Sequence, residues 1–198
     1  MLTFLLHKMR QNINFALLKS LGIMETPFVY DRYVTSKYFI GRKKECGILG
    51  NLLAAGEHVV IYEPPKTGKM SLIQQTLINM RSSGMQFMTV CLDMFNVRSL
   101  DEFLLRFGTT VMKAALSTPD QYKDAIARHL SDTHFVFDRE RFYQEGSIVS
   151  LNWSPDRNDM EKMMRLPGLL ALEKGVPFYL IFKEFQTIMN SPEYETLF

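Results

Sequence analysis

The sequence predicts an α/β fold built on a parallel sheet, and three observations carry that prediction. Three short apolar runs, "HVVIY", "QFMTVCLD" and "VPFYLIF", have the character of strands buried on both faces. Segments of helical period separate them, giving the order strand–helix–strand–helix–strand that parallel crossovers produce. The chain has 198 residues, 46% of them apolar and 12% aromatic, enough for one domain with a sizeable core.

The elements follow in order. Residues 1–23, "MLTFLLHKMRQNINFALLKSLGI", carry Lys8, Arg10 and Lys19 and no acidic residue. Their apolar stretch "LTFLL" is shorter than a secretory core. A basic amphipathic helix is one reading. The simpler one is a poorly ordered extension over 1–24, with Met24 as the start. Residues 42–55 place Ile48, Leu49, Leu52 and Leu53 at helical spacing, ended by Gly56. The strand "HVVIY" and the loop "EPPKTGKM" come next. In "KMSLIQQTLINMRSSG", Leu72, Ile73, Leu77 and Met80 share one helical face, with Gly84 as the stop. The strand "QFMTVCLD" ends in Asp93. Ser99 and Glu102 form a capping box that opens a third helix. Residues 133–154 alternate or run apolar around "RERFYQEG", which predicts an inserted β-hairpin or two short strands. Trp153 sits there as a structural aromatic. "RNDMEKMMRLPGLLALEKG" is a helix with a bend expected at Pro167. It leads into "VPFYLIF", which ends in Lys183, Glu184, Phe185 and Gln186. Met80, Met85, Met88 and Met163 fall where core fillers are expected.

Composition narrows the function classes. There are 23 basic and 21 acidic residues, a net charge of +2, so nothing indicates nucleic acid or an acidic surface as partner. Cys46 and Cys91 have no disulfide or zinc spacing, which predicts a reducing, cytoplasmic setting. His7, His58, His129 and His134 fall in no metal-ligand pattern and read as structural or surface residues. No apolar run approaches the roughly 20 residues of a membrane helix.

The loop carries the chemistry. A phosphate-binding loop follows the pattern G-x-x-x-x-G-K-S/T after a strand and before a helix. Glycine lets several N–H groups converge on one anion, the helix dipole faces it, and the lysine reaches the β/γ-phosphates. Gly68 and Lys69 fit. Glu63 stands at the first glycine, and Met70 stands at the hydroxyl residue that would ligate Mg²⁺.

Four segments extend the match: "TPFVYDRYVTSKYFIGRKKE", "YEPPKTGKMSLI", "VCLDMFNVRSLDEF" and "LIFKEFQTI". In this order and spacing the chain resembles the prokaryotic AAA-type P-loop ATPases related to archaeal origin-recognition-like proteins, over residues 25–198. The resemblance implies a three-layer P-loop sandwich that binds ATP or ADP. The F-x-G-R-x-x-E segment of that family, here Phe39, Gly41, Arg42 and Glu45, helps enclose the adenine. The implied nucleotide-binding set is Phe39, Gly41 and Arg42 with Pro65, Lys66, Thr67, Gly68, Lys69, Met70 and Ser71. Glu184 corresponds to the carboxylate that activates water. The family sheet order, 5-1-4-3-2, implies that 25–198 is the N-terminal part of the ATPase domain, incomplete at its C-terminus. It also implies unpaired flanks on "HVVIY" and on the strand "VPFYLIF".

Two departures bear on catalysis. Met70 replaces the family's threonine, and Lys183 replaces its Walker B aspartate. Both family residues hold Mg²⁺. A thioether is a poor ligand for a hard cation. Lys183 would set an ammonium near the metal position, and like charges 4 Å apart cost about 4 kcal/mol at an effective dielectric near 20. Ser71 lies about 100° further round the helix and is no direct substitute. The expectation is therefore a nucleotide-binding domain with no metal ligands of its own and weak or absent hydrolysis, Glu184 being an impaired base. The alternatives are a non-catalytic scaffold or truncated remnant that binds no nucleotide, or an ATPase with a rearranged metal site.

Overall fold

A computed structural model describes residues 32–190. The expected extension over 1–24 and the start of a helix in "SPEYETLF" lie outside the described residues. The chain divides into two compact units, Met1–Met85 and Gln86–Phe198.

In the first unit, a short 3-10 turn at Ser36–Tyr38 precedes two helices, α1 (Lys43–Ala54) and α2 (Lys69–Ser82). They pack around Cys46, Leu49 and Leu72, with Phe39, Leu53, Ile61 and Ile73 against that small cluster. Along α2, Leu72, Leu77 and Met80 are buried as the spacing predicts. Along α1 the buried face is narrower than expected, because Ile48 and Leu52 remain exposed.

The predicted strand "HVVIY" is not formed. Residues 57–64 run without secondary structure. Val60 and Tyr62 are 93% and 96% exposed, and only Ile61 packs on the unit's core. The physical reason is the lack of a neighbour. A strand buried on both faces needs adjacent strands to take its N–H and C=O groups. Among the described residues none pairs with it.

The second unit holds the sheet. Strands β1 (Met88–Asp93) and β4 (Phe178–Lys183) pair in parallel, Val90 level with Leu180 and Asp93 level with Lys183. The strand at 178–183 therefore has one paired flank. Amide hydrogen exchange should reflect the contrast: rapid exchange across 58–62, and slow exchange at the β4 amides that face β1. Slow exchange in 58–62 of a monomer would mean that this segment has a partner.

Between the two strands run α3 (Leu100–Ala115), α4 (Pro119–His129), β2 (Phe135–Val136), α5 (Arg139–Glu145), β3 (Ser150–Leu151) and α6 (Arg157–Lys174). Only half of the expected capping box forms: the Ser99 hydroxyl accepts from the Glu102 N–H, while the Glu102 carboxylate accepts from the N–H of Arg98, one residue before the cap. Helix α4 went unread in the sequence. Its signals are Thr118 as N-cap, Pro119 in the first turn and Gln121 three residues on. In 133–154 two short strands do pair antiparallel. "RERFYQEG", however, is not a turn but helix α5, capped by Asp138 and closed by Gly146 in the left-handed region. Helix α6 continues through Pro167.

The core lies between α3, α6 and the inner face of the sheet. Leu104, Phe107, Val111, Met112, Met163, Leu166 and Leu170 are sealed from solvent. Phe103, Phe107 and Phe182 stack in series, with centroids 5.6 and 6.2 Å apart. Gly108 is a close approach: a Cβ there would fall 2.7 Å from the Met163 sulfur, so the end of the Met163 side chain would have to shift. The described part of the chain is thus a mixed α/β structure, mostly helical, with a small parallel sheet.

Candidate functional site

The loop joins "HVVIY" to α2. Lys66 and Gly68 both have positive φ, 65° and 88°. Glycine takes this conformation without a Cβ penalty, and Lys66 does so at a cost. The turn delivers the chain into α2 with Gly68 as N-cap and no side chain capping the helix. The first N–H groups of any helix have no partner within it. In the second unit Ser99, Thr118, Asp138 and Asp156 supply such partners to α3, α4, α5 and α6.

The charged side chains around the turn engage one another. Arg42 is the N-cap of α1, itself in the left-handed region. Both terminal nitrogens of its guanidinium donate to the two carboxylate oxygens of Glu63, one at 3.2 Å and the other in shorter contact. Arg42 also donates to the Thr67 carbonyl at 3.3 Å and lies 3.6 Å from the Glu45 carboxylate. The Thr67 hydroxyl lies 2.7 Å from the Glu63 carboxylate and 2.9 Å from the Pro64 carbonyl. The Lys69 ammonium folds back onto the turn and donates to the carbonyls of Glu63 (2.7 Å) and Pro64 (3.1 Å). The Arg42 hydrogen bond first, and that of Thr67 second, hold the Glu63 carboxyl below its usual range. The same pair raises Arg42.

The structure therefore brings Arg42, Thr67, Gly68 and Lys69 together, with Glu63 at their centre. Glu63 was not among the predicted site residues. The sequence marks it only as a departure at the first glycine of the motif, because its pairing with Arg42 spans 21 positions. The other predicted residues divide. Ser71 is buried, and its hydroxyl accepts the Val34 N–H at 2.9 Å. Phe39 packs on the α1–α2 cluster. Pro65 and Lys66 are exposed, and Met70 is half-buried at the first turn of α2. Gly41 supplies a positive φ of 78° ahead of α1.

Lys183 and Glu184 belong to the second unit. Lys183 is not an uncompensated cation. Its ammonium bonds the Asp93 carboxylate at 2.5 Å across the level ends of β1 and β4. That contact, before any other cause, raises Lys183 and lowers Asp93. Strand register is the signal that could have revealed it. Glu184 is exposed, with φ 52°, and its carboxylate accepts from the Gln186 side-chain amide at 2.7 Å.

A second cluster joins His134, Asp156 and Asp159 at the start of α6. It has a structural explanation. Asp159 is fully buried and accepts from the His134 ring (2.7 Å), the His134 N–H (2.8 Å) and the Asp156 N–H (2.7 Å). Asp156 accepts the Asp159 N–H in return, completing a capping box. Burial alone would raise the Asp159 carboxyl, but these hydrogen bonds, led by that from His134, leave it lowered. The bond to Asp159 raises His134.

No family model, curated protein or solved structure matches the chain. No helix among the described residues is long and apolar enough to cross a membrane.

Proposed function

We propose that the loop from Glu63 to Ser71 binds the diphosphate of ATP or ADP, and that the chain holds nucleotide without turning it over at a useful rate. The observation that supports binding is the left-handed Lys66–Gly68 turn feeding an uncapped α2, with the Lys69 ammonium lying across it. N–H groups at such a helix start, together with a lysine, suit a phosphate. Slow turnover follows from the ligands. Met70 has no hydroxyl to offer Mg²⁺, and Lys183 is paired with Asp93 where the resembled family has a carboxylate. Charge stabilisation and positioning dominate phosphoryl transfer, so Glu184 as a base contributes little without a metal. A cytoplasmic setting agrees with the free Cys46 and Cys91.

Titration with a fluorescent ADP analogue tests the reading. Lys69→Ala is expected to weaken binding roughly ten- to hundredfold, the range of a hydrogen bond to a charged group. Wild-type affinity is expected to change little when Mg²⁺ is removed, and phosphate release should stay at background. Equal affinity of wild type and Lys69→Ala would favour a scaffold that binds no nucleotide. Strong Mg²⁺-stimulated turnover, lost on Glu184→Gln, would favour a rearranged metal site.

A further inference from the structure

We propose that Glu63 is a latch that keeps the phosphate loop occupied from within. The inference rests on the nucleotide reading above and concerns the regulation of that same site. One residue engages two cations at the loop, Arg42 from the start of α1 and Lys69 from the loop itself. The Glu63 carboxylate takes the Arg42 guanidinium through two nitrogens and lies 2.7 Å from the Thr67 hydroxyl. The Glu63 carbonyl takes the Lys69 ammonium at 2.7 Å. The side-chain donors of Arg42, Thr67 and Lys69 are therefore bonded to the loop itself.

Two physical consequences follow. A phosphate entering the loop must draw Lys69 from two carbonyls and compete with a carboxylate for Arg42. It must also approach the Glu63 charge, and that repulsion acts within the short distances of one turn. Arg42 can change partners, because its planar fork matches phosphate oxygens as well as carboxylate oxygens. The latch therefore selects by charge. A diphosphate or triphosphate can outcompete one carboxylate, whereas a singly charged anion cannot.

A purely structural ion pair and a latch make opposite predictions. If the pair only shaped the loop, loss of either partner would weaken binding. If Glu63 is a latch, its removal strengthens binding, while removal of Arg42 leaves the carboxylate unpaired and weakens it. The experiment is calorimetric titration of the full chain with inorganic pyrophosphate and with ADP. It compares wild type, Glu63→Gln, Glu63→Gly, Arg42→Gln and Lys69→Ala, with helix content checked by circular dichroism. Glu63→Gln keeps an acceptor for Thr67, and Glu63→Gly supplies the residue that the phosphate-loop pattern has at this position.

Both Glu63 variants are expected to bind pyrophosphate about two- to fivefold tighter than wild type, the range of a partly exposed ion pair. The gain should shrink as salt screens the carboxylate. Arg42→Gln should bind more weakly. If folded Glu63 variants bind no more tightly than wild type while Lys69→Ala still weakens binding, the latch is wrong and the loop reading stands. If Lys69→Ala matches wild type, both fall together.

Discussion

Phe107→Ala is expected to destabilise the second unit by about 3–5 kcal/mol, the usual cost of emptying an aromatic core site. Phe107 is sealed from solvent on α3 and stacks between Phe103 and Phe182. The ring therefore joins a helix to β4, and its loss leaves a cavity between layers that cannot collapse without moving the sheet. Against a typical total stability of about 5–15 kcal/mol, a loss of that size is severe. Urea unfolding followed by circular dichroism measures it, and Phe107→Leu should cost much less. A midpoint close to wild type for the alanine variant would place the ring outside the core.

Asp159→Ala should be the next largest, at about 2–4 kcal/mol. It removes half of a capping box and leaves the part-buried backbone N–H groups of His134 and Asp156 without their acceptor. The same site gives unit 2 a pH dependence whose sign can be worked out. His134 is raised above its ordinary 6.5 by Asp159. Its stabilising contribution is complete below 6.5 and declines as pH rises through the folded value. Asp159 is lowered below 3.8, so its contribution is present above 3.8 and declines as pH falls through the folded value. Wild type should thus lose stability as pH rises above about 6.5 and through the folded value of His134. His134→Gln should flatten that slope, and Asp159→Ala should abolish it at both ends. A wild-type slope that survives in His134→Gln would assign the titration to another group.

The readable parts of the fold were those set by local rules. α2 follows from 3.6-residue periodicity, and α3 from the Ser99 cap. β1 and β4 follow from continuous apolar runs. "HVVIY" has the same composition as those strands, and yet its state depends on whether another strand lies beside it. No residue within the segment encodes that. α4 was missed for the opposite reason. Its buried residues are only Tyr122, Ala125 and Ile126, a weak stripe behind a strong Thr118-Pro119 start. In the candidate site, Gly68 and Lys69 were legible because a turn and a helix start are local. Glu63 with Arg42, and Lys183 with Asp93, were not, because each pair meets only after the chain has folded.

The parallel register of β1 with β4 also has a temporal meaning. Asp93 and Lys183 are 90 residues apart in the chain. A parallel pair cannot close by a tight turn, so β1 must wait for four helices and β4 to be made. At ribosomal rates of about 5–20 residues per second, that interval is roughly 5–20 s. Throughout it the nascent strand "MTVCLD" has no partner and presents Val90 and Leu92, both buried in the finished protein. Long-range pairing of this kind also slows folding of the completed chain. The nascent chain should accordingly bind a holding chaperone at β1, and release from it should coincide with emergence of Phe178–Lys183 from the ribosome.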